Sequence, residues 1–119
     1  MKLERNQRPA GPIVTGFSGS GFKIDGESTS GGVLLAPEWW RSWGGELSEA
    51  ALDPLVALRP EFILIGTGAA LVRPPRPLVQ ALEAKGIGVE PMDSRAAARA
   101  WGVLRAEERW IGAALMALT

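Results

Sequence analysis

Cysteine, histidine and tyrosine are all missing from this 119-residue sequence. Without thiols there is no disulfide and no thiolate metal site, and without imidazole the commonest general base and metal ligand is gone. A Ser-His-Asp triad and nucleophile chemistry at Cys or His are excluded. Acid–base work would fall to Asp, Glu or Lys, and no catalytic residue, metal or cofactor is nominated. Charge of one sign is lacking too: 13 Lys and Arg balance 13 Asp and Glu. A balanced chain has no long-range field to collect phosphates or anionic lipid, so nucleic acid and membrane surfaces are not expected partners. No apolar run approaches the roughly 20 residues of a membrane helix, so direct membrane insertion is not expected. The opening residues, Met1 to Arg8, carry charges with no apolar stretch behind them, unlike a secretory signal. Lacking disulfides and a signal, the chain reads as cytoplasmic.

What is present describes a globular protein. Apolar residues make up 46% and charged residues 22%, too apolar for disorder, and the length suits one hydrophobic core. Abundant Ala, Gly, Arg and Pro suggest a bacterial genome of high GC content. Residues 1–11 read as a flexible N-terminal arm and 12–119 as one α/β domain. Ile13 to Phe17 and Phe22-Lys23-Ile24 are short strands around Ser18-Gly19-Ser20-Gly21, and Asp25-Gly26 is a two-residue hairpin signal. The first 30 residues therefore predict a β-meander. Gly32 to Ala36 is a continuous apolar run suited to a strand buried on both faces. Glu38 to Trp43 can form another strand, placing Trp39, Arg41 and Trp43 on one face.

Ser48 is a plausible N-cap, with Leu47 and Leu52 spaced for a hydrophobic staple. Pro54 complicates a single helix there and could instead open a shorter one capped by Asp53. Phe62-Ile63-Leu64-Ile65 describes a central parallel strand, left through Gly66-Thr67-Gly68. After the proline-rich Arg73 to Pro77, Leu78 to Lys85 predicts a helix ending at Gly86. Ile87 to Glu90 is the next strand, and Asp93 should cap a helix whose inward face holds Ala97, Ala100 or Trp101, and Leu104. Strand, helix, strand, helix is the rhythm of a parallel sheet. Propensity weakly favours a helix over Arg109 to Leu118, with Gly112 against it.

Two constellations invite a functional reading. Gly66-Thr67-Gly68 stands at the carboxyl end of a buried strand, where ligands of open α/β sheets usually sit. Its likeness to a dinucleotide fingerprint, with Glu90 on the following strand, fails at Leu71, where the third glycine should be. Pro74, Pro75 and Pro77 also stop a helix from pointing straight at a pyrophosphate. A tight turn is the plain reading. A small-molecule or anion pocket of Gly66, Thr67, Gly68, Arg73 and Asp93 is the alternative, although capping alone accounts for Asp93. The second constellation is Trp39, Arg41 and Trp43: Trp is enriched at interface hot spots but also covers sheet edges, and Arg41 could stack on an indole.

Taken in order, several features resemble one known family. They are Gly21 to Gly26, Val33-Leu34-Leu35 with Pro37, Trp43, Pro60-Glu61 before Phe62 to Gly68, and Gly86 to Glu90 with Met92-Asp93. The resemblance is to the small domain-of-unknown-function family that includes the third assembly factor of mitochondrial complex I and stand-alone bacterial and archaeal homologues. It implies an α/β three-layer sandwich around a central mixed five-stranded sheet, with the last strand antiparallel and central. That makes Trp110 to Leu118 a strand, against propensity. Where relatives tend to carry Cys and then Tyr-Asn, this chain has Ala98 and then Trp101-Gly102, so a pocket built on those groups is not available here. No enzymatic activity is implied. The family's mitochondrial member implies a non-catalytic interaction or assembly-factor role, linked to membrane-complex biogenesis, with an unidentified protein partner. A homodimer stays open, and a ligand-binding domain or enzyme at the Gly66-Thr67-Gly68 turn is the alternative function.

Overall fold

The computed structural model describes residues 11–119, so the expected arm lies outside the described residues apart from Gly11. Strands β1 (Val14–Ser18), β2 (Gly21–Ile24) and β3 (Glu27–Ser28) form a three-stranded antiparallel sheet. This is the expected meander. Asp25 and Gly26 turn the β2–β3 hairpin with φ of 51° and 88°, the pair of positive angles that a type I′ turn demands.

The second sheet joins β4 (Gly32–Leu35), β5 (Trp40–Trp43), β6 (Phe62–Gly66), β7 (Gly88–Met92) and β8 (Gly112–Leu115) in the order β5-β4-β8-β6-β7. Alternation along its strands feeds two cores. Val33, Leu35, Leu64, Ala113 and Leu115 face helix α3 (Ser94–Ala106), meeting Ala97 and Trp101, together with Phe22 and Ile24 of the small sheet. Leu34, Ile63, Ile65 and Ala114 face helices α1 (Glu49–Val56) and α2 (Arg76–Ala84), meeting Leu52, Leu55, Leu78 and Leu82. The result is the expected three-layer α/β sandwich around a mixed five-stranded sheet. The connections β6–α2–β7 and β7–α3–β8 step across the sheet in opposite directions. Crossovers of one hand then require α2 and α3 to lie on opposite faces, as they do.

The carboxyl-terminal segment departs from its propensity. Gly112–Leu115 is a strand at the centre of the sheet, antiparallel to β4 and parallel to β6. The expected antiparallel arrangement thus holds on the β4 side alone, and β4 is the strand that runs against its neighbours. Tertiary context overrides helix preference because every residue of β8 is buried. Small side chains suit that position. A Cβ on Gly112 would meet the Leu55 side chain at 3.3 Å.

Helix α1 is one helix with Pro54 inside it, not a shorter one opened by Pro54 and capped by Asp53. Ser48 caps it, its Oγ accepting from the Ala51 N–H at 3.1 Å. Leu47 and Leu52 pack in the same core, as a staple requires. Helix α2 carries Pro77 in its first turn, and Gly86 follows its cap with φ of 80°. Asp93 caps α3, its Oδ1 accepting from the Ala96 N–H at 2.9 Å.

Candidate functional site

The Gly66-Thr67-Gly68 turn is held by its own chain. The Thr67 hydroxyl donates to the Ala70 carbonyl at 2.7 Å and accepts from the Val72 N–H at 2.9 Å. The Thr67 N–H donates to Met92 O at 2.9 Å, and the Gly68 N–H donates to Ser94 Oγ at 2.8 Å. Ser94 Oγ in turn donates to the Met116 carbonyl at 2.8 Å. One buried hydroxyl therefore ties together the β6 turn, the first turn of α3 and the exit of β8. Gly66 is required for the same reason: a Cβ there would sit 2.9 Å from Ser94 Cα. Gly68 adopts φ of 95°, which favours glycine.

The candidate pocket residues fall into two groups. Gly66, Thr67, Gly68 and Asp93 come together around Ser94, with the Asp93 carboxylate engaged as the helix cap. Arg73 stands apart and lines a cleft of about 420 Å³ with Pro74, Arg76, Gln80, Glu83 and Pro91. Just before Arg73 in the chain, Leu71 and Val72 are 63% and 59% exposed.

Trp39, Arg41 and Trp43 do share one face of β5 and its entry. Trp43 is only 9% exposed, belongs to the α1–α2 core, and donates through Nε1 to the Glu46 carbonyl at 3.1 Å. Trp39 is half-buried, and the exposed Arg41 guanidinium stacks over its ring at 4.3 Å from the centroid. Trp40 points to the opposite face and packs against the α3 core. The surface offered by this cluster is thus Trp39, Arg41 and the outer edge of β5, with Trp43 as its anchor.

Sequence reasoning passed over Ser94 because a serine beside a good N-cap looks redundant. The signal available was Asp93-Ser94 directly after a strand. In the loop before β8, Arg109 Nη2 donates to Glu61 Oε1 at 2.7 Å and its guanidinium lies 5.6 Å from the Phe62 ring centroid. The hydrogen bonds and charge of Arg109 hold the exposed Glu61 carboxyl below its ordinary pKa of 4.5. Among the described residues, no group of three or more His, Cys, Asp or Glu is placed to hold a metal ion. No helix among them is long and apolar enough to cross a membrane.

Comparison with known proteins agrees with this architecture. An uncharacterised protein of Rhodobacter capsulatus is 37% identical over 103 residues, covering 87% of this chain and 82% of that protein. The zebrafish (Danio rerio) NADH dehydrogenase [ubiquinone] 1 alpha subcomplex assembly factor 3 is 27% identical over 122 residues, covering 98% of this chain and 70% of that protein. A crystal structure of a Bordetella parapertussis protein superimposes with a TM-score of 0.82 at 32% identity, over 91% of this chain and 97% of that one. The family model for "Protein of unknown function (DUF498/DUF598)" matches residues 14–116. By this match, the chain is a member of the DUF498/DUF598 family of small α/β proteins.

Proposed function

We propose that this protein is a non-catalytic cytoplasmic docking domain that binds another protein during the assembly of a membrane complex, through Trp39, Arg41 and the edge of β5. The observation carrying this reading is the Arg41–Trp39 stack, an exposed cation held over a half-buried indole at a sheet edge. Aromatic and arginine side chains so arranged are the usual anchors of protein interfaces. The assembly-factor relative adds the class of partner: a subunit or fellow assembly factor of a membrane complex. Support over a pocket at the Gly66-Thr67-Gly68 turn comes from the turn's own chemistry. Its hydroxyl, its Gly68 N–H and the neighbouring Asp93 carboxylate already serve structural bonds.

Co-purification from a bacterial host carrying this gene tests the reading. Tagged wild type should enrich subunits of a membrane complex, and a Trp39→Ala/Arg41→Glu variant of unchanged circular dichroism should lose them. An identical protein set from both forms would defeat it.

A further inference from the structure

The two edges of the large sheet are built differently. At the β7 edge, Gly88 donates to Glu61 O at 3.0 Å and Met92 O accepts from the Thr67 N–H at 2.9 Å. Gly88, Glu90 and Met92 therefore bond inward to β6, and the residues facing outward are Val89 and Pro91. Proline has no N–H to give, so an added strand would meet a broken ladder there. At the other edge, Ala36 donates to Trp39 O at 2.8 Å, which makes Ala36 and Trp39 a hydrogen-bonded pair. Antiparallel alternation then bonds Arg41 to Leu34 and Trp43 to Gly32, and turns the N–H and C=O of Trp40 and Ser42 outward. No proline, bulge or further strand covers them among the described residues.

We infer that the β5 edge takes up an extended, acid-bearing segment of another protein as an added strand. The inference rests on the docking reading above and names its mode. Main-chain bonds to Trp40 and Ser42 supply the ladder, as in other β-augmentation complexes. Arg41 selects the occupant. Its backbone is bonded to β4, so toward a new strand it stands at a non-hydrogen-bonded position, where facing side chains are closest. A carboxylate there meets a guanidinium whose side-chain partner among the described residues is the Trp39 ring. Residues on either side of that acid lie on Trp40's face and are apolar in the fitting segment. A second copy of this chain is a poorer occupant. The two-fold register in which Trp40 and Ser42 of both copies bond each other sets Arg41 against Arg41. The adjacent two-fold registers rely on Glu38 or Gly44, outside the strand.

Amide-resolved NMR with a blocked pentapeptide, Thr-Val-Glu-Val-Thr, tests this directly, against the same peptide with Lys at its centre. The Glu peptide should move the Trp40 and Ser42 amides first and bind about three- to tenfold tighter than the Lys peptide. Arg41→Glu should reverse that preference. Ser42→Pro removes an outward N–H while sparing the β4 ladder, and should abolish binding. The inference is overturned if millimolar peptide leaves those amides unmoved, if both peptides bind alike, or if the free protein dimerises through this edge and Ser42→Pro makes it monomeric. A silent peptide with co-purification still dependent on Trp39 and Arg41 overturns strand addition alone. Peptide binding with an unchanged co-purified set counts against the docking role.

Discussion

At the scale of single residues, the turn after β6 shows how a suggestive motif becomes a structural one. Ser94 Oγ serves the Gly68 N–H and the Met116 carbonyl, each at 2.8 Å. Ser94→Ala strands both groups in the interior and should destabilise the fold by about 1–3 kcal/mol, measured by urea unfolding. Gly66→Ala places a methyl against Ser94 backbone and should cost about 1–3 kcal/mol through overpacking. Gly102 in α3 has open space where its Cβ would be, so Gly102→Ala should stabilise by about 0.5–1 kcal/mol. The two glycine results together separate glycine required by packing from glycine that is merely tolerated. The two glycines of the turn were legible in the sequence as a place needing special backbone. What filled the space was not, because a serine's partners 22 and 26 residues away leave no local trace.

At the scale of elements, local signals located most strands and caps, and failed where burial outweighed propensity. Ser48 and Asp93 announced their helices because side-chain capping is a short-range event. Residues 112–115, Gly-Ala-Ala-Leu, carry no strand signal of their own. Only the resemblance to the family placed them in the sheet, and β8 takes its conformation from β4 and β6 on either side. Its central position has a measurable consequence. The Ala113 and Ala114 amides should exchange with solvent only on global unfolding, whereas the outward Trp40 amide of β5 should exchange many times faster. The Glu61–Arg109 pair joins the entry of β6 to the loop before β8. Glu61 has its folded pKa lowered, so the pair's contribution is present above the ordinary value of 4.5 and is lost as pH falls through the folded value. Urea midpoints at pH 6 and pH 3 should show a smaller acid loss for Glu61→Gln than for wild type.

At the scale of the whole molecule, an even charge balance and a turn closed by its own hydrogen bonds turn attention to the surface. The sheet has one edge interrupted by Pro91 and one whose outward groups at Trp40 and Ser42 meet no further strand among the described residues, beside the Arg41–Trp39 stack. The strand–helix rhythm indicated an α/β chain, the family resemblance implied its three layers, and the tryptophan cluster was visible from the start. The division of labour within it was not: alternation put Trp39 and Trp43 on the same face, but only packing shows Trp43 as core anchor and Trp39 as surface. The central claim is that this surface, and not the turn, meets the partner. Hydrogen exchange compared between the isolated protein and the complex recovered from its host reads this most directly. The docking account predicts that the Trp40 and Ser42 amides gain at least tenfold protection (about 1.4 kcal/mol) in the complex, while Thr67 to Arg73 stay unchanged. Protection confined to Thr67 through Arg73, with β5 exchanging as in the free protein, would contradict it.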